Sequence, residues 1–575
     1  MSRQPLLVNR GHIDMSALAV LATLFLLILP ASVRAQAPAT ALAEARAHYA
    51  ETAPNIDGHL DDAVWSTITP ITDFKQRWPE EGAEPTELSE MRIAFDEDHL
   101  YFGFRFFDSS PSEIRANIFE RGGRIDKDDH IWLTIDTYDD DRNAYLFEMN
   151  PLGTQDDATI TDESMSRDDW SWDSVYYSEG NIDEEGWTLE VAIPFRQIRF
   201  SKEDQPVMGL AVERKINRKN EQVIWPFIPR SFTRGIQTVS QYGRLVGLEN
   251  LRRGKNIEIK PYVITGAQEV RDDLAFKTTE SDFTRDLGVD VKYGITSNLT
   301  LDLTVNTDFA QVESDAVQLN LTRFNLFFPE KREFFLERSG LFTHGAARNT
   351  QTFFSRRIGI SNEILAGARL TGQVGKLSVG LLNIQTRKDD DLSLPASNNS
   401  VVRLRTTLAG RSTAGVIFTN LDQGDRFNRA FGADFQSRFW SSSSVDAWFT
   451  GISDSHADLD GGTAGELSVR VADDLWGGSV GYRSVSTNYA PALGFVSRRD
   501  IRRYDADASW SPLLQSDKHP VRRVSVMTGG HYITGQDNEK QSWTYSLISS
   551  FSLERRDRFT LSVSRAFDRL EGSFF

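Results

Sequence analysis

The sequence predicts an all-β protein, with an N-terminal β-sandwich (jelly-roll-like) followed by an antiparallel transmembrane β-barrel. Three observations predict it. From about Asn256 onward, segments of roughly ten residues alternate apolar and polar positions between turn residues. Upstream, short runs rich in Ile, Phe and Tyr follow one another with no crossover helix between them, which argues against a parallel α/β sheet. The opening residues read as an export signal.

The barrel rests on alternation. In Leu299–Asn306 the residues Leu299, Leu301, Leu303 and Val305 point one way, and Thr300, Asp302, Thr304 and Asn306 the other. The same beat recurs at Val289/Val291/Tyr293, Val402/Leu404, Phe431/Ala433/Phe435 and Tyr545/Leu547/Ser549/Phe551/Leu553. A soluble sandwich also alternates, but it closes within fewer strands. About fifteen such segments suit a transmembrane barrel.

The basic start (Arg3, Arg10), the apolar run Ala17–Pro30 and the small residues of Val33-Arg34-Ala35 give a signal peptide over 1–35, too short for a membrane anchor. Export without a later apolar helix, at a mean hydropathy of -0.39, leaves the periplasm, the outer membrane or the medium, and the barrel pattern selects the outer membrane, with lipid as a partner. Over 36–53 the Ala, Leu, Glu and Arg of Thr40–Ala50 predict a linker with a short helix.

At 575 residues the chain is too long for one core. Cys 0 excludes disulfides, thiol nucleophiles and cysteine metal sites, and a net charge of -18 argues against nucleic acid as a partner. The division falls near Gly247–Gly254, giving a sandwich over 54–250 and a barrel over 255–575. Sandwich strands are expected at Met91–Phe95, Leu100–Phe106, Ile131–Thr137, Ala144–Met149, Trp187–Ile193 and Met208–Arg214, with Leu100, Phe102, Phe104 and Phe106 on one face.

Two resemblances follow from longer motifs. Asn55-Ile56-Asp57-Gly58-His59-Leu60-Asp61-Asp62-Ala63-Val64-Trp65, then Asp128-Asp129-His130-Ile131, Asn150-Pro151-Leu152-Gly153 and Gly186-Trp187-Thr188-Leu189-Glu190, resemble family 9 carbohydrate-binding modules, a DOMON-like β-sandwich. Phe327-Phe328-Pro329-Glu330-Lys331-Arg332-Glu333-Phe334-Phe335-Leu336-Glu337, Phe353–Gly359 and Asn488–Arg499 resemble the outer-membrane barrel domain DUF5916.

The first resemblance implies a sugar held between two tryptophans on loops at one end of the sandwich. Trp78, Trp170 and Trp172 sit in polar loops and are the candidates, whereas Trp65 and Trp187 fall in apolar periodic segments and are expected in the core. Arg121 and Arg124 flank a glycine pair and could donate to hydroxyls, surface ion pairing being the alternative. The same resemblance implies structural calcium. Oxygen ligands cluster at Asp136, Asp139, Asp141 and Asn143, in a spacing that is not the EF-hand pattern.

Between 310 and 360 the strand rhythm breaks. Phe pairs mix there with Arg332, Glu333, Arg356 and Arg357, a combination costly against lipid. Two readings stay open: a lumen-filling plug with arginines lining the pore, or a surface loop with internal ion pairs. Leu570-Glu571-Gly572-Ser573 is not a clean closing strand and the count is odd, which leaves open a C-terminally truncated barrel.

No G-x-S-x-G, H-E-x-x-H or P-loop is present, and no catalytic domain is left over once module and barrel are assigned. The leading expectation is therefore a non-catalytic outer-membrane protein that binds oligo- or polysaccharide through a periplasmic module, in carbohydrate binding, uptake or catabolism. The alternatives are a porin-like transporter with a non-sugar ligand, and a carbohydrate-active hydrolase suggested by family association.

Overall fold

The computed structural model describes residues 43–569, apart from 162, 164–167, 171, 202, 253–256, 273–276, 297–298, 307–318, 320–323, 337, 361, 390–392, 409–410, 515–519 and 554–556. The signal peptide over 1–35 lies outside the described residues.

The first domain is two sheets packed face to face. The larger runs Glu44–Arg46, Gly243–Val246, Met208–Ile216, His130–Asp136, Ala144–Met149 and Gln155–Ile160, with Glu221–Trp225 branching from Met208–Ile216 and carrying Lys75–Trp78. The smaller runs His48–Tyr49, Ser89–Phe95, His99–Phe107, Gly186–Pro194 and Tyr177–Asp183. Leu100, Phe102, Phe104 and Phe106 do share one face, and they meet Ile131, Leu133, Ile135, Leu210 and Val212 in the core. Trp65 and Trp187 are buried as expected.

The helix expected over Thr40–Ala50 is not formed by its described residues. Glu44–Arg46 pairs in parallel with Gly243–Val246, and His48–Tyr49 in parallel with Ser89–Phe95, so the segment stitches one edge of each sheet. Ala45 and Ala47 point into the core while Glu44, Arg46 and His48 face out. This period of two overrode a composition that favours helix.

Beside a small three-stranded sheet of Gly345–Ala346, Thr350–Gln351 and Phe495–Val496, the second half forms an antiparallel sheet of fifteen strands, each paired with the next strand of the sheet. Its first strand, Ile257–Asp272, pairs with Lys277–Thr296, and its last, Arg558–Asp568, pairs with Lys540–Leu553. First and last are not paired with each other, so among the described residues the sheet has two edges and no closed ring.

The two faces of this sheet invert the usual order of a soluble protein. In Arg426–Phe439 the buried positions are Asn428, Ala430 and Gly432, while Phe431 is 66% and Phe435 40% exposed. Val416, Phe449, Leu467, Leu547, Leu561 and Val563 extend the exposed apolar face. The buried face carries Thr300, Thr371, Thr413, Thr419 and Thr450 and the ion pairs Asp302–Arg369 and Asp434–Arg403. Among the described residues no helix is long and apolar enough to cross a membrane.

Phe324–Gly359 packs on the buried face. Phe335, Phe342, Phe353 and Ile358 form a cluster with Leu382, Ile384, Val401 and Ile417 of the strands, so this segment is not a loop in water. Gly380 allows the approach: a Cβ there would stand 2.9 Å from the Phe342 ring.

The sandwich docks on one end of the sheet. Glu163 accepts from Arg411 and, at 2.8 Å, from Arg438, while Arg142 donates to Thr407 at 2.6 Å and the Thr233 amide to Ser442 at 2.8 Å. At this end most connections are short, from Val374 to Leu377, Thr407 to Ser412, Phe439 to Ser443 and Ala472 to Trp476, with a longer one from Trp510 to Val521. The longest connections, from Val305 to Ile364 and Val485 to Ile501, lie at the other.

Candidate functional site

Between sandwich and sheet lies a cavity of about 860 Å3. The sandwich contributes Trp172 and Tyr145 to its wall, together with Arg196 and Arg199 from the connection after Gly186–Pro194. The sheet contributes Lys260, Asp302 and Arg369, and the inserted segment Glu333, Phe334 and Arg338. The Trp172 ring lies 4.8 Å from Tyr145 and 5.8 Å from Phe147 between centroids, contacts that fix its plane beside the cavity. The polar wall is held in turn. Arg369 donates to Asp302 at 2.9 Å, Lys260 to Glu333 at 2.7 Å, and Arg199 to Thr300. A flat aromatic wall opposite fixed donors and acceptors suits a polyhydroxylated ring with one apolar side.

The structure distributes the candidate sugar residues unequally. Trp172 lines the cavity, partly buried against the sandwich core. Trp170 is 41% exposed and does not line it. Trp78 is engaged at the domain junction, where Arg230 of the sandwich and Arg523 of the sheet place their guanidinium groups 4.8 and 4.9 Å from its ring centre. Asp474 ties both arginines, at 3.4 and 3.3 Å. Trp78, expected in a polar loop, instead ends the strand Lys75–Trp78, paired with Gln222, and the sheet that covers it is far away in sequence. Arg121 is bound to Asp157 at 2.9 Å, Asp173 at 2.7 Å and the Ser174 carbonyl at 2.6 Å, and braces the loop that carries Trp172. Arg124 is exposed, 3.5 Å from Asp126.

The calcium candidates do not converge. Asp136 accepts the Tyr138 and Asp141 amides at 3.1 and 2.9 Å, Asp139 faces Arg244 at 3.5 Å, and Asn143 donates to Asp140 at 2.7 Å. Asp139 and Asp141 adopt positive φ of 51° and 59°, as short polar side chains do in tight connections. The oxygens of Asp136 and Asp140 are spent closing their own turn. Among the described residues no group of three or more His, Cys, Asp or Glu is placed to hold a metal.

The four residues of the inserted segment mainly fasten it. Arg332 pairs with Glu330 at 2.7 Å and donates to the Ile358 and Ser355 carbonyls at 2.6 and 2.7 Å. Arg356 donates to the Pro329 carbonyl at 2.8 Å and Arg357 to that of Gly494 at 3.1 Å. Glu333 alone of the four lines the cavity. Tyr145, Arg196, Arg199 and Arg338 escaped sequence reasoning, since nothing local marks a residue as facing another domain.

The motifs behind the first resemblance meet as a clasp. Glu190 accepts from Trp65 Nε1 at 2.7 Å and from the Asp57 and Gly58 amides at 3.0 Å each. Gly58 has φ +85°, and a Cβ there would stand 3.0 Å from the Gly180 backbone.

Residues 56–225 match the family model described as carbohydrate family 9 binding domain-like, and residues 256–371 match that of domain of unknown function DUF5916. The two matches follow one another in that order along the chain. The second match spans the first strands and the Phe324–Gly359 segment.

Among solved structures, a family 9 module from Caldicellulosiruptor kristjanssonii in complex with glucose aligns at 12% identity and TM-score 0.27, over 36% of this chain and 96% of that one. OccK11 (OpdR) of Pseudomonas aeruginosa aligns at 9% identity and TM-score 0.27, over 76% and 90%. OprD of the same organism aligns at 10% and 0.27, over 63% and 85%. No curated protein matches the chain.

On the outer face of the larger sandwich sheet, Glu148 and His130 lie 3.6 Å apart and both are buried. Burial pushes the Glu148 carboxyl up to about 7 and holds His130 down at about 4. Between its ordinary 4.5 and about 7, folded Glu148 keeps a proton that the unfolded chain has lost, so its contribution to stability falls as pH rises. His130 acts oppositely between about 4 and 6.5, where only the unfolded chain is protonated.

Glu148→Gln removes the first slope and leaves the second. In urea unfolding followed by tryptophan fluorescence, the variant's sandwich is expected to gain about 3 kcal/mol over the parent at pH 8 and little at pH 5. Equal gains at both values would contradict the assignment.

Proposed function

We propose that this protein binds carbohydrate at the outer membrane through its N-terminal module, without catalysis, as a component of carbohydrate binding, uptake or catabolism. The observation that carries the reading is the cavity wall of Trp172 and Tyr145 facing fixed polar groups of the sheet, on a module that matches a carbohydrate-binding family model. The continuous apolar face of the fifteen-stranded sheet supports a lipid-facing position, since burying it against acyl chains removes it from water. The sandwich sits at the end where most connections are short, which in bacterial outer-membrane barrels faces the periplasm.

Calorimetric titration of the full chain in detergent against a panel of oligosaccharides tests this. Saturable binding of at least one oligosaccharide is expected, and a folded protein that binds none overturns the reading. A second reading, a porin-like transporter with a non-sugar ligand, is favoured by the polar, ion-paired buried face. Channel conductance without sugar binding would select it.

A further inference from the structure

Six carboxylates and six cationic side chains line the cavity, but they are not all paired with one another. Of the six carboxylates that line it, Asp302 is held by Arg369 at 2.9 Å, Glu333 by Lys260 at 2.7 Å, Asp173 by Arg121 at 2.7 Å and Asp290 by Thr304 at 2.6 Å, while Glu258 is exposed near Lys260. Two of the cations are left without a carboxylate. Among the described residues the side chains of Arg196 and Arg338 make no hydrogen bond or ion pair.

Arg338 is also held in an unusual way. Its backbone is left-handed at φ 51°, a conformation that arginine seldom adopts and that tends to persist where the surroundings hold a functional group in place. With Tyr145 and Thr159 it lines a second cavity of about 150 Å3 as well as the first. Arg196 comes from the sandwich and Arg338 from the inserted segment, so the two guanidinium groups meet the cavity from different domains.

A guanidinium without a carboxylate partner is a ready-made site for one, through paired N–H donors in a planar fork. An aromatic platform beside it adds the requirement for a ring with an apolar side. We propose that the cavity takes an acidic oligosaccharide, a sugar chain bearing uronic-acid carboxylates, with Trp172 under one ring and Arg338 and Arg196 on the carboxylates. The module and the DUF5916 domain then build one site together. This rests on the carbohydrate reading above and narrows its ligand class.

The test titrates the full chain in detergent with a uronic-acid trimer, the neutral hexose trimer of the same linkage, and succinate as a carboxylate without a sugar ring. The acidic trimer is expected to bind about tenfold or more tighter than either of the others, and to weaken as salt rises. Arg338→Asn, which keeps a residue tolerant of left-handed backbone, and Arg196→Gln at an exposed position should each reduce that affinity about fivefold to tenfold, and reduce neutral-trimer affinity by a smaller factor.

Equal affinity for the two trimers, or an equal loss for both in the variants, overturns the proposal while leaving carbohydrate binding intact. Succinate binding as tightly as the acidic trimer also overturns it, because the ring would then contribute nothing. Binding of neither trimer, nor of any other sugar, fails the underlying reading instead.

Discussion

Glu190→Ala is expected to unfold the sandwich selectively, with a loss of about 3 kcal/mol or more. The carboxylate is fully buried and accepts three hydrogen bonds, from the Trp65 indole and the Asp57 and Gly58 amides. Truncation leaves those donors without an acceptor, and each buried orphan costs about 1–3 kcal/mol. The opening motif is thereby released from the edge of the smaller sheet, although Thr188 still donates to the Gly58 carbonyl at 2.6 Å. Glu190→Gln keeps an acceptor and should lose less. Urea unfolding followed by tryptophan fluorescence, with limited proteolysis, reads both variants. An alanine variant that unfolds at the parent's midpoint would show that the clasp stabilises nothing.

Trp172→Ala is expected to lower oligosaccharide affinity at least tenfold, a change of about 1.4 kcal/mol, while the protein stays folded. The ring gives the cavity its flat apolar wall, so its loss removes stacking area that no other described tryptophan replaces. Trp172→Phe should recover part of the affinity. Trp78→Ala acts differently: it removes the ring beneath Arg230 and Arg523 and loosens the docking of sandwich on sheet. If Trp170→Ala abolished binding and Trp172→Ala did not, the ligand would sit outside the cavity.

How much of this was legible in the sequence varied with the range of the interaction. Strand alternation is local, so the fifteen strands and the shared face of Leu100, Phe102, Phe104 and Phe106 could be read directly. The inversion of the sheet's faces was half legible, since alternation shows two faces but not which one is covered. The Glu44–Arg46 strand was missed because alanine-rich composition favours helix, and only the waiting edges of two distant sheets make it extended. Trp78 and Trp172 look alike in sequence. One is capped by an arginine more than four hundred positions away and the other lines a cavity, and neither fact is written near it. The Asp136–Asn143 cluster is ambiguous in sequence for the opposite reason, because turn-closing aspartates and cation ligands share a composition.

The most direct test of the central claim is hydrogen–deuterium exchange of the full chain with and without its tightest-binding oligosaccharide. The account predicts protection of two peptides at once, one containing Trp172 in the sandwich and one containing Arg338 in the inserted segment. Protection confined to loops of the sandwich remote from the sheet would contradict it.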